Sequence, residues 1–295
     1  MDKSVKLFRS ETKKQEYYDC YDKALKQFTI SYDSYYVTTT YGDTHIIHCG
    51  LKNNPKLVLL HCQGFSSIAW YYNLEELSKH FEIFCVDSIG EPGRTKGNTT
   101  KIKNEYYVQW LFEVINVLKL ERPNIAGWSF GGFLAANFAI SYPERVNKLI
   151  MMSPAAIIAP IRPMFYLKLL PALFCGKDEK IDHFLKWISG SDNNDFPNPT
   201  FTVFTSGMKN FQGWSMGTKL VVFSKSDFKK ITAPTLIMIG NDDPIYKKAT
   251  PKELADKLNK LQSNISAEIV DGTHGFPIQK AEFVNDKIIS FISDK

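Results

Sequence analysis

The sequence predicts an α/β fold: a mostly parallel sheet with helices on both faces. Short apolar runs alternate with amphipathic helical patterns over most of the chain. These runs are continuously apolar, as expected of strands that are buried on both faces. The alternation stops once, in a segment rich in Pro, Phe, Leu and Trp, which predicts an inserted helical lid. We therefore assign residues 1–153 and 231–295 to one core and residues 154–230 to the lid.

The first elements of the chain are a helix and a hairpin. Apolar residues at helical spacing predict an amphipathic helix over about residues 11–28 that packs on the core. The runs Tyr35–Thr40 and Thr44–Cys49, joined by Tyr41-Gly42-Asp43, then predict a β-hairpin.

Six further apolar runs are the candidate strands of the parallel sheet. They are Leu57–Leu60, Ile83–Val86, Asn124–Ala126, Lys148–Met152, Thr235–Ile239 and Ala267–Val270. Helical spacing predicts helices at Tyr107–Leu118 and Phe283–Phe291. A capping box, Thr250-Pro251-Lys252-Glu253, predicts the start of another helix.

The composition is ordinary for a globular protein and argues against several classes. Apolar residues make up 44% and charged residues 23%, and the net charge of +5 comes from scattered basic residues. We therefore expect no binding to nucleic acid, which needs a concentrated basic patch. No apolar run could span a bilayer, and the first residues lack a secretory signal, so we expect no membrane span. Five cysteines without C-x-x-C pairing favour reduced thiols in a cytoplasmic protein over disulfides or a metal site.

The most informative motif is Gly127-Trp128-Ser129-Phe130-Gly131, a G-x-S-x-G pattern between an apolar run and a small-residue helical pattern. A strand–turn–helix of this kind is a nucleophile elbow, which exposes one serine. Glycines are needed because a Cβ on the neighbours of the serine would collide across so tight a turn. We predict that Ser129 is a nucleophile, with a helix N-terminus behind it; the alternative is a glycine-rich turn without chemistry.

A serine hydroxyl needs a base in contact with it. The candidates are the six histidines of the chain: His45, His48, His61, His80, His183 and His274. Only His274 directly follows a strand late in the chain, where loops of α/β sheets bind ligands. In elbow hydrolases the chain order is serine, acid, histidine. We therefore predict His274 as the base and structural or solvated roles for the other five.

The acid that orients the histidine should follow a strand between the serine and the histidine. Asp242 and Asp243 both qualify, since they follow Thr235–Gly240. One would accept the Nδ1 hydrogen of the histidine, and the other would be a turn residue. We favour Asp243 because a G-x-x-D pattern recurs at this place in the fold.

An oxyanion hole requires two backbone N–H groups. One is expected from Phe130, directly after the nucleophile, and the other from Gln63, in the loop after an early strand. We expect substrate contacts from five further side chains: Cys62, Phe65, Trp128, Met164 and Trp187. The lid residues among them could instead form the lid's own core.

With these residues in place, the chain resembles the α/β hydrolase fold serine hydrolases over nearly its whole length. Within them it is similar to the Bacillus carboxylesterase NP (naproxen esterase) group. The shared features are the helix before the hairpin, the segment Tyr41-Gly42-Asp43-Thr44-His45, the elbow, and Gly240 followed by an acid and Ile245-Tyr246.

The resemblance implies the α/β hydrolase fold and a triad of Ser129, Asp243 and His274, with the Gln63 and Phe130 amides as the oxyanion hole. Cys62 departs from the family pattern, because members usually carry glycine after the histidine of this loop. That difference bears on the size of the acyl site. The segment Asp87–Arg94 matches the family loop D-x-x-G-x-G-x-S imperfectly, and we assign Asp87 no chemistry.

The sequence thus predicts an esterase that hydrolyses small-molecule esters with apolar acyl or aryl groups through an acyl-enzyme, without a cofactor. One alternative is another acyl or carbon–carbon bond hydrolase, such as a thioesterase or a biosynthetic methyl esterase. A second alternative is a ligand-binding or signalling protein that keeps the fold and the three residues but does not turn substrate over.

Overall fold

A computed structural model describes residues 6–97, 102–190, 199–213, 218–246 and 250–294. Within these ranges one sheet contains nine strands, in the order β1-β2-β4-β3-β6-β7-β8-β9, with β5 paired to β2. The strands are β1 (Tyr32–Thr39), β2 (Gly42–Cys49), β3 (Lys56–Leu60), β4 (Glu82–Val86), β5 (Lys96–Gly97), β6 (Asn124–Trp128), β7 (Leu149–Met152), β8 (Thr235–Gly240) and β9 (Ile265–Val270). The β1–β2 and β2–β4 pairs are antiparallel, and all pairs from β4 to β9 are parallel.

Helices flank this sheet. They are α1 (Glu11–Leu25), α2 (Tyr71–His80), α3 (Asn104–Val117), α4 (Phe130–Ser141), α5 (Pro163–Cys175), α6 (Asp178–Ser189), α7 (Pro199–Asn210), α8 (Lys225–Lys230), α9 (Pro251–Asn259), α10 (Phe276–Gln279) and α11 (Ala281–Ser293). Short 3₁₀ turns lie at Ser67–Trp70 and Pro143–Arg145. The mostly parallel sheet and its flanking helices confirm the predicted fold class.

All six predicted parallel strands are present, with boundaries shifted by at most two residues. The hairpin is longer than predicted, because β1 begins at Tyr32 rather than Tyr35. The predicted first helix ends early, at Leu25, where the N–H groups of Gln27 and Phe28 turn back to carbonyls three residues before them.

The expectation that every parallel strand is buried on both faces is wrong for β9. Its residues alternate between buried and exposed, and Ile269 is 39% exposed. The reason is position, since β9 is the outermost strand of the sheet and has a neighbour on one side only. The inner strands β6, β7 and β8 are buried throughout, as predicted.

Helix α1 is held at its start by Ser10, whose hydroxyl accepts the Lys13 N–H at 3.1 Å. Its buried residues, Tyr17 and Tyr21 among them, anchor it to the core, and it packs along α7. None of the helices within the described ranges has the length and apolar character that a bilayer-spanning helix needs.

Between β7 and β8 the described residues form helices and no strand. Helices α5, α6 and α7 belong to an insertion, whereas the short helix α8 packs on α4 and leads back into the sheet. The two ends of the insertion meet, because the Phe223 N–H donates to the Ile157 carbonyl at 2.9 Å. The assignment of residues 154–230 to a separate lid stays a prediction.

Candidate active site

Ser129 lies at a sharp turn between β6 and α4. Its backbone has φ 53° and ψ −109°, a conformation that costs a non-glycine residue about 1–3 kcal/mol. The turn is held from both sides. The Ser129 N–H donates to the Met152 carbonyl at 2.8 Å, and the Ser129 carbonyl accepts the Phe133 and Ala155 N–H groups, both at 3.0 Å. A serine whose strained backbone is held by such hydrogen bonds has the geometry predicted for a nucleophile elbow.

The two glycines of the motif are required by close backbone contacts. A Cβ at Gly127 would lie 2.3 Å from the Gly131 carbonyl oxygen. A Cβ at Gly131 would lie 2.0 Å from the Leu60 carbonyl oxygen at the end of β3. The first turn of α4 therefore sits directly against the strand that leads into the predicted oxyanion loop.

The structure brings His274 and Asp243 together. His274 follows β9 and Asp243 follows β8, and His274 Nδ1 is 2.8 Å from Asp243 Oδ2. The Asp243 side chain is fully buried, and its other oxygen accepts the Ile245 N–H at 3.0 Å. The Trp128 indole N–H donates to the His274 carbonyl at 3.0 Å, which ties this loop to the elbow. Asp242 is exposed, so of the two candidate acids only Asp243 contacts the histidine.

The predicted oxyanion loop, residues 61–65, is anchored by His61. One ring nitrogen, Nε2, accepts the Ser88 N–H at 2.9 Å, and the other, Nδ1, donates to the Cys62 carbonyl at 2.8 Å. Burial lowers the pKa of His61, so its ring is neutral and can accept and donate at once. This histidine organises the loop, in line with the structural role predicted for it.

Ser129 and His274 both line one cavity of about 330 Å³. The predicted oxyanion residues Gln63 and Phe130, and three of the five predicted substrate contacts, line it as well: Cys62, Phe65 and Trp128. The insertion contributes most of the remaining wall, which is apolar: Phe165, Leu169, Leu173, Phe184, Leu185, Ile188, Phe201, Phe204 and Met208.

Two of the predicted substrate contacts, Met164 and Trp187, do not line this cavity. Met164 is 46% exposed and Trp187 packs beside Phe184, and neither lines the cavity. The cavity wall is formed instead by their neighbours Phe165 and Ile188, from the same two helices. Adjacent helical residues point about 100° apart, so an error of one position in helix phase turns a lining residue away.

Sequence reasoning missed Glu91, a buried carboxyl next to the oxyanion loop. Burial raises the pKa of Glu91 to about 8, although the Gly64 N–H and the Gln63 side chain act in the opposite direction. Burial, together with the Glu91 charge, also raises the pKa of the Cys62 thiol well above its usual value. The sequence carried no signal for this burial, because Glu91 stands in a loop with the polar residues Asp87, Ser88 and Arg94.

Comparison with known proteins agrees with this geometry. The family model of the α/β hydrolase fold matches residues 55–281. Carboxylesterase YbfK of Bacillus subtilis is 31% identical over 283 residues, covering 94% of this chain and 93% of the relative. This chain belongs to the α/β hydrolase fold family.

Two further similarities extend over the whole α/β hydrolase core and its insertion. The uncharacterized carboxylesterase nap of B. subtilis is 27% identical, over 94% of this chain and 92% of the relative. The crystal structure of naproxen esterase (carboxylesterase NP) from B. subtilis superposes with a TM-score of 0.88 at 26% identity, covering 95% of this chain and 98% of that one. The resemblance inferred from the motifs is thereby confirmed.

Proposed function

We propose that this α/β hydrolase is a serine carboxylesterase that hydrolyses small-molecule carboxylic esters with apolar acyl or aryl groups. The observation that carries the proposal is the shared cavity. Ser129, at a strained elbow, and His274, bonded to a buried aspartate, line one cavity whose other walls are mostly apolar. The carboxylesterase names of the two relatives support the same reaction.

In the proposed reaction the Ser129 hydroxyl oxygen attacks the ester carbonyl carbon while His274 Nε2 takes its proton. Asp243 keeps the histidine in the required tautomer and stabilises the imidazolium. The Gln63 and Phe130 N–H groups stabilise the oxyanion. His274 then returns the proton to the leaving alcohol. Water attacks the acyl-enzyme by the same route, which releases the acid and restores the serine.

The insertion acts, in this proposal, as the lid that selects the acyl group. Support comes from its share of the cavity wall, which includes Phe165, Phe184 and Phe204. We also infer a cytoplasmic location, in keeping with the buried free thiols Cys49, Cys62 and Cys85, which reducing compartments maintain.

The test is turnover of p-nitrophenyl esters from acetate through butyrate to hexanoate. Each methylene buried in the cavity contributes about 0.8 kcal/mol, so kcat/KM should rise roughly fourfold per methylene until the cavity is full. If none of these esters is turned over, the proposed function is refuted. A series with equal kcat/KM would refute only the apolar acyl site.

A further inference from the structure

A buried carboxyl lies behind the oxyanion loop. Glu91 is only 2% exposed, and its Oε2 accepts the Gly64 N–H at 2.8 Å. Gly64 has φ +81°, and a Cβ there would lie 2.8 Å from the Phe204 ring. The backbone at Gly64 is therefore held by Glu91 through a hydrogen bond and confined by Phe204 from α7.

This hydrogen bond fixes the peptide unit that follows Gln63. The Gly64 N–H and the Gln63 carbonyl belong to one planar peptide group, so holding the N–H sets the orientation of the whole group. The N–H of Gln63, on the preceding peptide, is the one assigned to the oxyanion hole. Displacing such a donor by about 1 Å is enough to weaken the stabilisation of the transition state strongly.

No cationic side chain within the described ranges pairs with Glu91. From the oxyanion loop it is faced by the Gly64 N–H, the Gln63 side chain and the Cys62 thiol. Helix α7 contacts the neighbouring Pro92 through Gly207, a residue without a charged side chain. Arg94, on the same loop as Glu91, pairs with Asp22 instead. Among the described residues no lysine, arginine or histidine forms an ion pair with Glu91, and its Oε1 has no hydrogen-bond partner of normal geometry.

A carboxyl in this setting is favoured in its neutral form. Burial raises the pKa of Glu91 to about 8, so the group carries a proton at neutral pH. The same proton is lost in mildly alkaline solution. A negative charge would then lie behind the loop that must stabilise another negative charge, the oxyanion of the reaction.

We propose that Glu91 is a positioning residue for ester hydrolysis, which as a neutral acid holds the oxyanion loop in its active geometry and as a carboxylate opposes formation of the oxyanion. This inference rests on the proposed function. It adds a group outside the triad on which the rate depends.

The experiment measures kcat and KM of the full-length enzyme and of Glu91→Gln with p-nitrophenyl butyrate, from about pH 6 to about pH 9.5. Wild-type kcat should fall about tenfold as the pH rises through about 8. KM should change little, because the oxyanion exists only in the transition state. Glu91→Gln keeps an oxygen for the Gly64 N–H but cannot ionise, so its kcat should show no such fall.

Two further variants make the result specific. Glu144→Gln removes an exposed carboxyl and should keep the wild-type pH profile. Glu91→Leu removes both the charge and the acceptor, so its kcat should be about tenfold lower at every pH and also show no alkaline fall. If Glu91→Gln does not fold, Glu91→Leu tests the same charge.

The outcomes separate the two proposals. The role of Glu91 would be overturned if kcat of a Glu91 variant fell in alkaline solution as much as kcat of the wild type. It would also be overturned if the wild-type kcat stayed constant up to about pH 9.5. A change in KM with unchanged kcat would also contradict it. A wild-type enzyme that turns over no ester would instead remove the proposed function itself.

Discussion

Two groups of Ser, His and Asp side chains stand out among the described residues, and one of them lines the apolar cavity. The cavity relay consists of Ser129, His274 and Asp243. The edge relay consists of Ser34, His45 and Asp87, in which Ser34 Oγ is 2.8 Å from His45 Nε2 and His45 Nδ1 is 2.9 Å from Asp87 Oδ2. By distance alone the edge relay has every hydrogen bond that a catalytic triad needs.

The two relays differ in what surrounds the serine. Ser34 is an exposed residue on the outer strand β1, in regular antiparallel pairing with β2. Ser129 is in a strained turn at a helix N-terminus and lines the cavity. The acids differ as well, because Asp87 also accepts the Ser67 N–H at 2.7 Å, the Arg94 N–H at 2.9 Å and the Tyr21 hydroxyl at 3.1 Å. The edge relay thus joins elements of the fold, and the strained turn and the cavity, rather than the hydrogen bonds, distinguish Ser129 from Ser34.

The largest expected difference is between the two serines. Ser129→Ala should lower kcat by roughly 10⁵- to 10⁶-fold, because no nucleophile remains. Ser34→Ala should leave kcat unchanged and lower the unfolding free energy by at most about 1 kcal/mol, the value of one exposed hydrogen bond. Ester turnover measures the change in kcat of both variants, and thermal denaturation measures the change in their stability.

A fluorophosphonate provides an independent readout of the same comparison. Peptide mass spectrometry should find the adduct on Ser129 in the wild type and none on Ser34 in Ser129→Ala. If Ser34 were labelled about as fast as Ser129 is in the wild type, the edge relay would also be reactive. The surroundings of the two serines would then not separate a nucleophile from a structural residue.

Substitution of Asp243 should lower activity, whereas substitution of Asp87 should lower stability. Asp243→Asn should lower kcat by as much as about 10⁴-fold through a wrong histidine tautomer, with little change in Tm. Asp87→Asn should lower the unfolding free energy by about 2–4 kcal/mol, because an amide cannot accept all the hydrogen bonds that Asp87 accepts. Asp242→Asn, an exposed neighbour, is the matched control and should change neither. Loss of activity in Asp242→Asn with normal turnover in Asp243→Asn would reverse the assignment of the acid.

The Asp87 effect should also depend on pH. Burial alone would raise the pKa of Asp87, but the hydrogen bond and charge of His45 outweigh it and hold the pKa well below its usual range. The stabilisation from ionised Asp87 is therefore present above the unfolded-state pKa of about 4 and is lost as the pH falls below it. The difference in Tm between wild type and Asp87→Asn should narrow in acid. A constant difference would contradict the linkage.

The smallest expected effect concerns the cavity that distinguishes the two relays. Phe165→Ala should lower kcat/KM for p-nitrophenyl hexanoate about tenfold and leave acetate nearly unchanged, because it removes apolar wall. Met164→Ala, one residue away on the exposed side of α5, should behave as wild type with both esters. Equal effects of the two variants would show that the apolar wall of the insertion does not select the acyl group.

Residues whose roles follow from short-range pattern were the ones that the sequence could predict. The elbow around Ser129 and the capping box at Thr250 need only neighbours in the chain, and the structure has both the turn and the box. His274 follows from strand order, which the topology confirms. Their chemical roles stay predictions.

Residues whose surroundings come from distant parts of the chain could not be predicted. Glu91 gains its hydrogen bond from a residue that precedes it by 27 positions, and His45 gains one from an aspartate that follows it by 42. Met164 and Trp187 failed for a related reason. The face that a lid helix turns to the cavity depends on how it packs on the core, and apolar composition does not reveal that.

The hydrogen bond between Phe223 and Ile157 closes the base of the insertion, so the chain leaves the sheet and comes back at one point. Lengthening such a closed loop is inexpensive, since each doubling costs only about 0.6 kcal/mol in closure entropy. Exchange of the insertion would leave Ser129, Asp243 and His274 in place, because all three lie outside it. If the insertion selects the acyl group as proposed, selectivity and reactivity lie on separate stretches of the polypeptide, and the first can be replaced without rebuilding the second.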